Sequence, residues 1–108
     1  MMILFIIIAR FYWPVDLATF AVAGTPHTHV KITGYVDYSR YETDGDLHIK
    51  LVPNKDGTMP FIIAECIPDL PCIKPSAGQH VEVCGITRKD PEHGWMEVHP
   101  IEKLEILP

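Results

Sequence analysis

The sequence has no surplus of positive charge. It carries 9 Lys and Arg against 14 Asp and Glu, which gives a net charge of −5, and residues 27–108 alone keep that value. Proteins that bind nucleic acids usually present a basic surface that displaces counterions from phosphates. The charge balance therefore disfavours nucleic acid as a partner.

Cysteine is scarce, and the three cysteines cannot all pair within one chain. Cys66 and Cys72 flank a proline-containing loop and would close a short disulfide if the chain is exported. The alternative is that Cys66, Cys72 and Cys84 are three small buried apolar residues, as unpaired cysteines commonly are. The sequence favours the second alternative.

Several catalytic signatures are missing. The sequence has no glycine-rich phosphate loop, no nucleotide fingerprint and no CxxC or HExxH metal motif. Ser39 and Ser76 fall in predicted loops without a neighbouring base. These absences favour a binding protein over an enzyme.

Residues 1–26 are apolar but interrupted. Nine apolar residues are followed by Arg10, Pro14 and Asp16, so the segment is a poor membrane-spanning helix. An export signal cleaved after residues 21–23 (Ala-Val-Ala) is favoured, with an exported or periplasmic location. The alternatives are a membrane anchor, with contact through residues 1–13, and a helix packed on the domain. We expect the segment to take no part in the sheet.

Residues 27–108 form the folded domain, because their apolar residues recur at the period of half-buried strands. Gly34 and Gly85 inside strands one and four predict a bend or a bulge. Three prolines exclude a long helix between strands three and four. The pattern predicts a single all-β domain, a five-stranded OB-fold-like barrel, with strands at residues 29–37, 46–51, 61–66, 80–88 and 95–107.

Polar side chains on three of these strands form the candidate site. Strand periodicity places Asp46 and His48 on the same face of their strand, and Glu97 and His99 on the same face of theirs. Glu65 is the one charged residue in strand three, which an OB barrel places between strands two and five. Two histidines and several carboxylates suit a divalent metal such as Zn²⁺ or Mn²⁺. The alternative, which the sequence favours, is a purely structural polar network.

Aromatic residues supply a second candidate surface. An exposed face that combined Tyr35, Tyr38, Tyr41 and Trp95 would stack bases or sugars, and His93 precedes Trp95 in the same turn. We therefore predict Tyr35, Tyr38, His93 and Trp95 as ligand-binding residues.

The sequence resembles a group of small bacterial OB-fold-like proteins of uncharacterised function. The resemblance spans about residues 30–104 and rests on a DGDxH motif at residues 44–48 and an HGWxExHP motif at residues 93–100. It implies the barrel fold and the importance of these positions. It implies no particular activity.

A weaker similarity is to staphylococcal-type thermonucleases, in which an Asp-Gly-Asp turn and an acidic residue on the third strand bind Ca²⁺. Asp44, Asp46 and Glu65 match those carboxylates. No arginine lies between Asp46 and Glu65, so the part that clamps phosphate is missing. The leading hypothesis is a binding module with a divalent-metal site. The alternatives are a metal-dependent hydrolase or nuclease-like enzyme and a single-stranded nucleic-acid binder.

Overall fold

A computed structural model describes residues 11–108. Over this range the chain forms six strands and one helix. In chain order they are β1 (Trp13–Pro14), α1 (Leu17–Ala23), β2 (His29–Tyr41), β3 (Leu47–Val52), β4 (Ile62–Cys66), β5 (His80–Lys89) and β6 (Met96–Ile106).

Five of the strands close into a barrel. The sheet has the order β1-β2-β3-β4-β6-β5, and β2 also pairs with β5, which joins the two ends. β4 and β6 are parallel, whereas the other pairs in the barrel are antiparallel. The prediction of an all-β, five-stranded OB-fold-like barrel is confirmed.

The barrel core consists of the apolar side chains that alternate along each strand. Val30, Ile32 and Val36 of β2 are buried, as the alternation predicts. β4 is buried at all five positions, because its outer side chains are covered as well as its inner ones. β2 runs four residues beyond its predicted end, since it stays paired with β3 as far as Tyr41 opposite Leu47.

The irregularities of the sheet fall close to the two strand glycines. The register shift in β2 lies between Val36 and Tyr38 rather than at Gly34. Gly34 is needed for another reason: a Cβ atom there would lie 2.6 Å from the Leu17 side chain of α1. Gly85 does sit at an irregularity, between two register shifts of β5 against β6.

The segment before the barrel belongs to the fold. The prediction that it takes no part in the sheet is wrong for β1, which pairs in parallel with β2. Helix α1 is capped by Asp16, which accepts a hydrogen bond from the Thr19 N–H. Leu17 and Phe20 of α1 are each only 3% exposed and pack in the barrel core.

The packing of α1 agrees with one of the three interpretations, a helix packed on the domain, because Leu17 and Phe20 lie in the core. The export signal and the membrane anchor stay predictions. No helix within residues 11–108 has the length and apolarity of a membrane span. Residues 1–10, which carry most of the predicted signal or anchor, lie outside the described residues.

The cysteines divide into a bonded pair and a free thiol. Cys66 at the end of β4 is bonded to Cys72 in the following loop, and Cys84 is free and buried. The favoured prediction of three unpaired cysteines is therefore wrong for Cys66 and Cys72. It is correct for Cys84, and burial raises the pKa of that thiol.

Phe20→Ala should lower the free energy of unfolding by about 3–5 kcal/mol, because it leaves a cavity between α1 and the barrel. Val22→Ala in the same helix is the matched control, since Val22 is 79% exposed. Urea denaturation of the full chain measures both variants. Equal stability of the two would show that α1 does not contribute to the core.

Candidate metal centre

The candidate site lies on the outer face of the barrel. His48 of β3 pairs directly with Glu65 of β4, so neighbouring strands hold the two side chains side by side. Both line an acidic pocket of about 460 Å³ that also contains the other predicted metal ligands. The residues that define the acidic pocket are Glu42, Thr43, Asp44, Asp46, His48, Glu65, Arg88, Asp90, Glu92, His93, Trp95, Glu97 and His99.

Glu65 is at the centre of this group and bridges two histidines. Its Oε1 atom lies 3.0 Å from Nδ1 of His48, and its Oε2 atom lies 3.4 Å from Nε2 of His99. Nε2 of His99 is also 3.2 Å from Oδ2 of Asp46. Four of the five predicted metal ligands are therefore linked by contacts through Glu65 and His99.

A tight turn between β2 and β3 places Asp46. The Asp44 side chain accepts a hydrogen bond from the Asp46 N–H, and Gly45 between them has a φ of 91°. Glycine adopts this left-handed conformation without the steric cost that other residues meet. The Glu42 N–H donates to the Asp46 carbonyl, so Glu42 also reaches the site.

The carboxyl group of Glu65 binds its proton more tightly than an ordinary glutamate does. Burial raises its pKa to about 7, and the negative charge of Glu97 and a hydrogen bond with Asp46 act in the same direction, against the opposing effect of His99. Neighbouring carboxylates that are shielded from water favour the protonated form. Near neutral pH Glu65 therefore exists in both the protonated and the charged form.

His48 is almost completely buried, with 4% of its surface exposed. Its Nδ1 atom is within 3.0 Å of both Glu65 and Glu42, whereas its Nε2 atom has no hydrogen-bond partner within residues 11–108. Burial lowers the pKa of His48 despite the nearby Glu42 carboxylate. A neutral imidazole with its proton on Nδ1 leaves a lone pair on Nε2.

Glu97, the fifth predicted metal ligand, lines the pocket but is already engaged. Its Oε1 atom accepts a hydrogen bond from Nε of Arg88, and its Oε2 atom accepts one from Nε1 of Trp95, each at 2.7 Å. Glu97 is 2% exposed, so this charge is neutralised by the arginine. The structure thus assigns Glu97 to holding Arg88 and Trp95 in place.

The four predicted ligand-binding residues do not form one surface around the pocket. His93 and Trp95 line it together, with parallel rings whose centroids are 4.1 Å apart. Tyr38 lies just outside and stacks on His48 at 5.9 Å. Tyr35 stacks on His80 of β5, at 4.4 Å, and takes no part in the site.

A row of aromatic rings and basic side chains lies beside the acidic pocket. Nζ of Lys50 lies 4.8 Å from the ring centroid of Phe61 and 6.0 Å from that of Tyr38. Phe61 meets Trp95 edge to face, at 5.6 Å. With Arg40 over Tyr38 at 5.3 Å, these side chains form a ring–cation row of Arg40, Tyr38, Lys50, Phe61, Trp95 and His93.

Two groups of side chains have the geometry of metal ligands. Asp46, Glu65 and His99 each offer one ligand atom, and these atoms lie within 4.8 Å of one another; Glu42, His48 and Glu65 form the second group. Within residues 11–108 Glu65 is the residue that both groups share. One ion bound by the first group would take the place of the proton on Glu65.

Sequence reasoning missed Glu42 and Arg88. Glu42 follows the end of β2, where strand periodicity no longer predicts the direction of a side chain. Arg88 faces Glu97 across the β5–β6 pair, a register that a single sequence does not reveal. The available signal was weaker, an arginine and a glutamate of opposite charge in two adjacent predicted strands.

Comparisons with known proteins identify the fold. No protein-family model and no curated protein matches the chain. Among solved structures, it is similar to asparaginyl-tRNA synthetase from Pyrococcus horikoshii, with a TM-score of 0.61 and 20% identity over 76% of this chain. A putative aspartyl-tRNA synthetase from Leishmania major Friedlin has a TM-score of 0.64 and 14% identity over 92% of this chain. The chain spans about a fifth of each synthetase.

A third similar structure has nearly the same size. The OBody AM1L10, solved bound to hen egg-white lysozyme, has a TM-score of 0.63 and 14% identity, and the match covers 92% of this chain and 98% of that one. The chain is an OB-fold module. At these identities the similarity establishes the fold of the module alone.

The acidic pocket lies where OB folds commonly bind ligands. It is bounded by the turn between the first two barrel strands, which holds Asp44, and by the loop between the last two, which holds His93. OB folds bind oligonucleotides and oligosaccharides through these two loops and the adjoining strands. The OB module therefore combines a usual binding position with an unusual acidic lining.

The pKa of Glu65 predicts how stability depends on pH. Between pH 5 and 8, in the presence of a chelator, the free energy of unfolding should fall as the pH rises, because the folded state binds the Glu65 proton more tightly than the unfolded state does. Loss of the Glu65 proton over this range should lower the free energy of unfolding by roughly 3 kcal/mol. His48, whose pKa is lowered, acts in the opposite direction below pH 6.5.

Urea denaturation of the chelated protein and of Glu65→Gln across this pH range isolates the contribution, since both proteins keep His48. The difference in stability between them should change steadily from pH 5 to pH 8. A difference independent of pH would contradict the raised pKa of Glu65.

Proposed function

We propose that this OB-fold module binds a divalent transition-metal ion, Zn²⁺ or Mn²⁺, in the acidic pocket through Asp46, Glu65 and His99. The observation that carries this proposal is the mutual contact of these three side chains. Two carboxylates and an imidazole make up a ligand set that Zn²⁺ accepts in proteins.

The spacing of the three side chains fits one ion. Zn²⁺ forms bonds of about 2.0–2.2 Å to nitrogen and oxygen, so two ligand atoms on a tetrahedral ion lie about 3.3 Å apart. Nε2 of His99 is 3.2 Å from Asp46 and 3.4 Å from Glu65. These distances support binding with little rearrangement of the side chains.

The charge of the pocket also favours a cation. Seven of its residues are Asp or Glu, and its single arginine, Arg88, already pairs with Glu97. A dication would relieve the repulsion between Asp46 and Glu65 that now requires a proton. His48 contacts the other oxygen of Glu65 and is itself in contact with Glu42, so it would orient that carboxylate, as outer residues do for metal ligands.

Three protein ligands leave one position of a tetrahedral ion open, which is the arrangement of catalytic rather than structural zinc sites. The open position faces a pocket of about 460 Å³ with His93 and Trp95 on its wall. A ligand that coordinates the ion would therefore contact this ring pair. We propose binding of such a ligand as the function, with hydrolysis as the alternative.

His99→Ala should weaken Zn²⁺ binding by roughly 100-fold, because it removes the only nitrogen ligand of the three. Isothermal titration of the chelator-treated protein should show one ion per chain, and metal analysis of the purified protein should agree. His80→Ala is the matched control, since His80 stacks on Tyr35 outside the pocket.

His48→Ala tests the residue that would orient Glu65. We expect this variant to lose about 10- to 100-fold in affinity for Zn²⁺. Thermal unfolding of each variant confirms that it is folded. Absence of bound metal in the parent protein, or equal losses in His99→Ala and His80→Ala, would contradict the metal site.

A second candidate function, single-stranded nucleic-acid binding, is favoured by the ring–cation row. Stacking on aromatic side chains and contacts from Lys and Arg are the means by which OB folds bind single strands. Tyr38 and Lys50 of this row lie on the outer face of β2 and β3. The net charge of −5 opposes this function.

Tyr38→Ala should weaken binding of a short oligonucleotide by about 5- to 150-fold, the range expected for the loss of one stacked base. Fluorescence anisotropy at low and high salt measures this effect. Tyr41→Ala is the control, because Tyr41 is exposed and contacts Lys74 outside the row. No binding at low salt, or equal losses in the two variants, would exclude this function.

A further inference from the structure

An exposed apolar surface lies at the N-terminal edge of the barrel, separate from the acidic pocket. Phe11 is 69% exposed, Trp13 is 64% exposed and Val22 of α1 is 79% exposed. Phe11 and Trp13 contact each other edge to face, with ring centroids 5.6 Å apart. We call Phe11 and Trp13 the N-terminal patch.

The patch continues into a cavity with apolar walls. This cavity, of about 620 Å³, lies between α1 and β2 and is lined by Trp13, Val15, Phe20 and Val30 among other residues. Its polar lining is confined to Asp16 and several threonines. The chain therefore presents apolar side chains both on the patch and in the adjoining cavity.

We propose that the N-terminal patch docks on the interface of a lipid bilayer. The sequence supports this partner, because the nine residues before Arg10 are all apolar and only Arg10 separates them from Phe11. Trp is enriched at membrane interfaces, where its ring accommodates both an apolar and a wet surrounding. The side chains of the patch are apolar, so burial of apolar area supplies the attraction to the bilayer.

The geometry argues against a second copy of the chain as the partner. β1 is the edge strand of the sheet beside the patch and has only two residues. One of them, Pro14, has no N–H group to donate, so this edge cannot extend the sheet into a neighbouring molecule. A bilayer needs no such pairing.

The chain has two tryptophans, so Trp95→Phe leaves Trp13 as the only indole reporter. With vesicles of zwitterionic phosphatidylcholine, its emission should shift to shorter wavelength. Brominated acyl chains should quench that emission. Intact mass beforehand confirms that Phe11 and Trp13 are present.

Flotation of the full chain with the same vesicles supplies the second measurement. The double variant Phe11→Ser/Trp13→Ser should bind at least roughly tenfold less, owing to the lost apolar area. Tyr41→Ser is the matched control, because Tyr41 is 62% exposed and lies outside the patch.

Three outcomes would overturn the proposal. They are unchanged Trp13 emission with vesicles, equal flotation of the parent and the double variant, and a lipid-free dimer in sedimentation velocity that the double variant abolishes. The last outcome would identify a second copy as the occupant.

Discussion

Strand β2 closes the barrel because it is long enough to pair with two neighbours along different parts of its length. Its first half pairs with β5 and its second half with β3, and Tyr35 pairs with both neighbours. Closure fixes the order of the remaining strands, with β4 between β3 and β6. This order brings His48, Glu65 and His99 together on one outer face.

The resulting group of side chains carries more negative than positive charge. Closely spaced carboxylates that are shielded from water need either a proton or a cation between them. For Glu97 this cation is the guanidinium group of Arg88, with which it forms an ion pair. Asp46 and Glu65 have no arginine or lysine partner among the described residues, and this difference is what distinguishes a structural ion pair from a candidate binding site.

Much of this arrangement could be predicted from the sequence, because strand periodicity determines which side chains share a face. Alternation in β3, β4 and β6 was sufficient to group His48, Glu65 and His99. It could not show that Glu97 is captured by Arg88, since that contact depends on the register between β5 and β6. Nor could it place Glu42, whose position depends on the Asp44–Gly45 turn.

The packing of helix α1 on the barrel could not be predicted from the sequence. An apolar run followed by small residues is typical of an export signal, and α1 has only seven residues, too few for a clear helical periodicity. Only the packed structure shows that Leu17 fills the space above Gly34 and that Phe20 joins the core. Composition alone does not reveal that this helix is packed on the barrel, because the packing depends on tertiary contacts.

The Cys66–Cys72 bond has a consequence for where the module can work. Cys66 follows Glu65 directly, and the loop closed by the bond packs Pro68 against the Gly45 turn that carries Asp46. Two of the three proposed metal ligands are thus adjacent to one covalent crosslink. Such crosslinks persist in oxidising compartments and are rare in the reducing cytosol, so the surroundings of the protein would govern how firmly its acidic pocket is assembled.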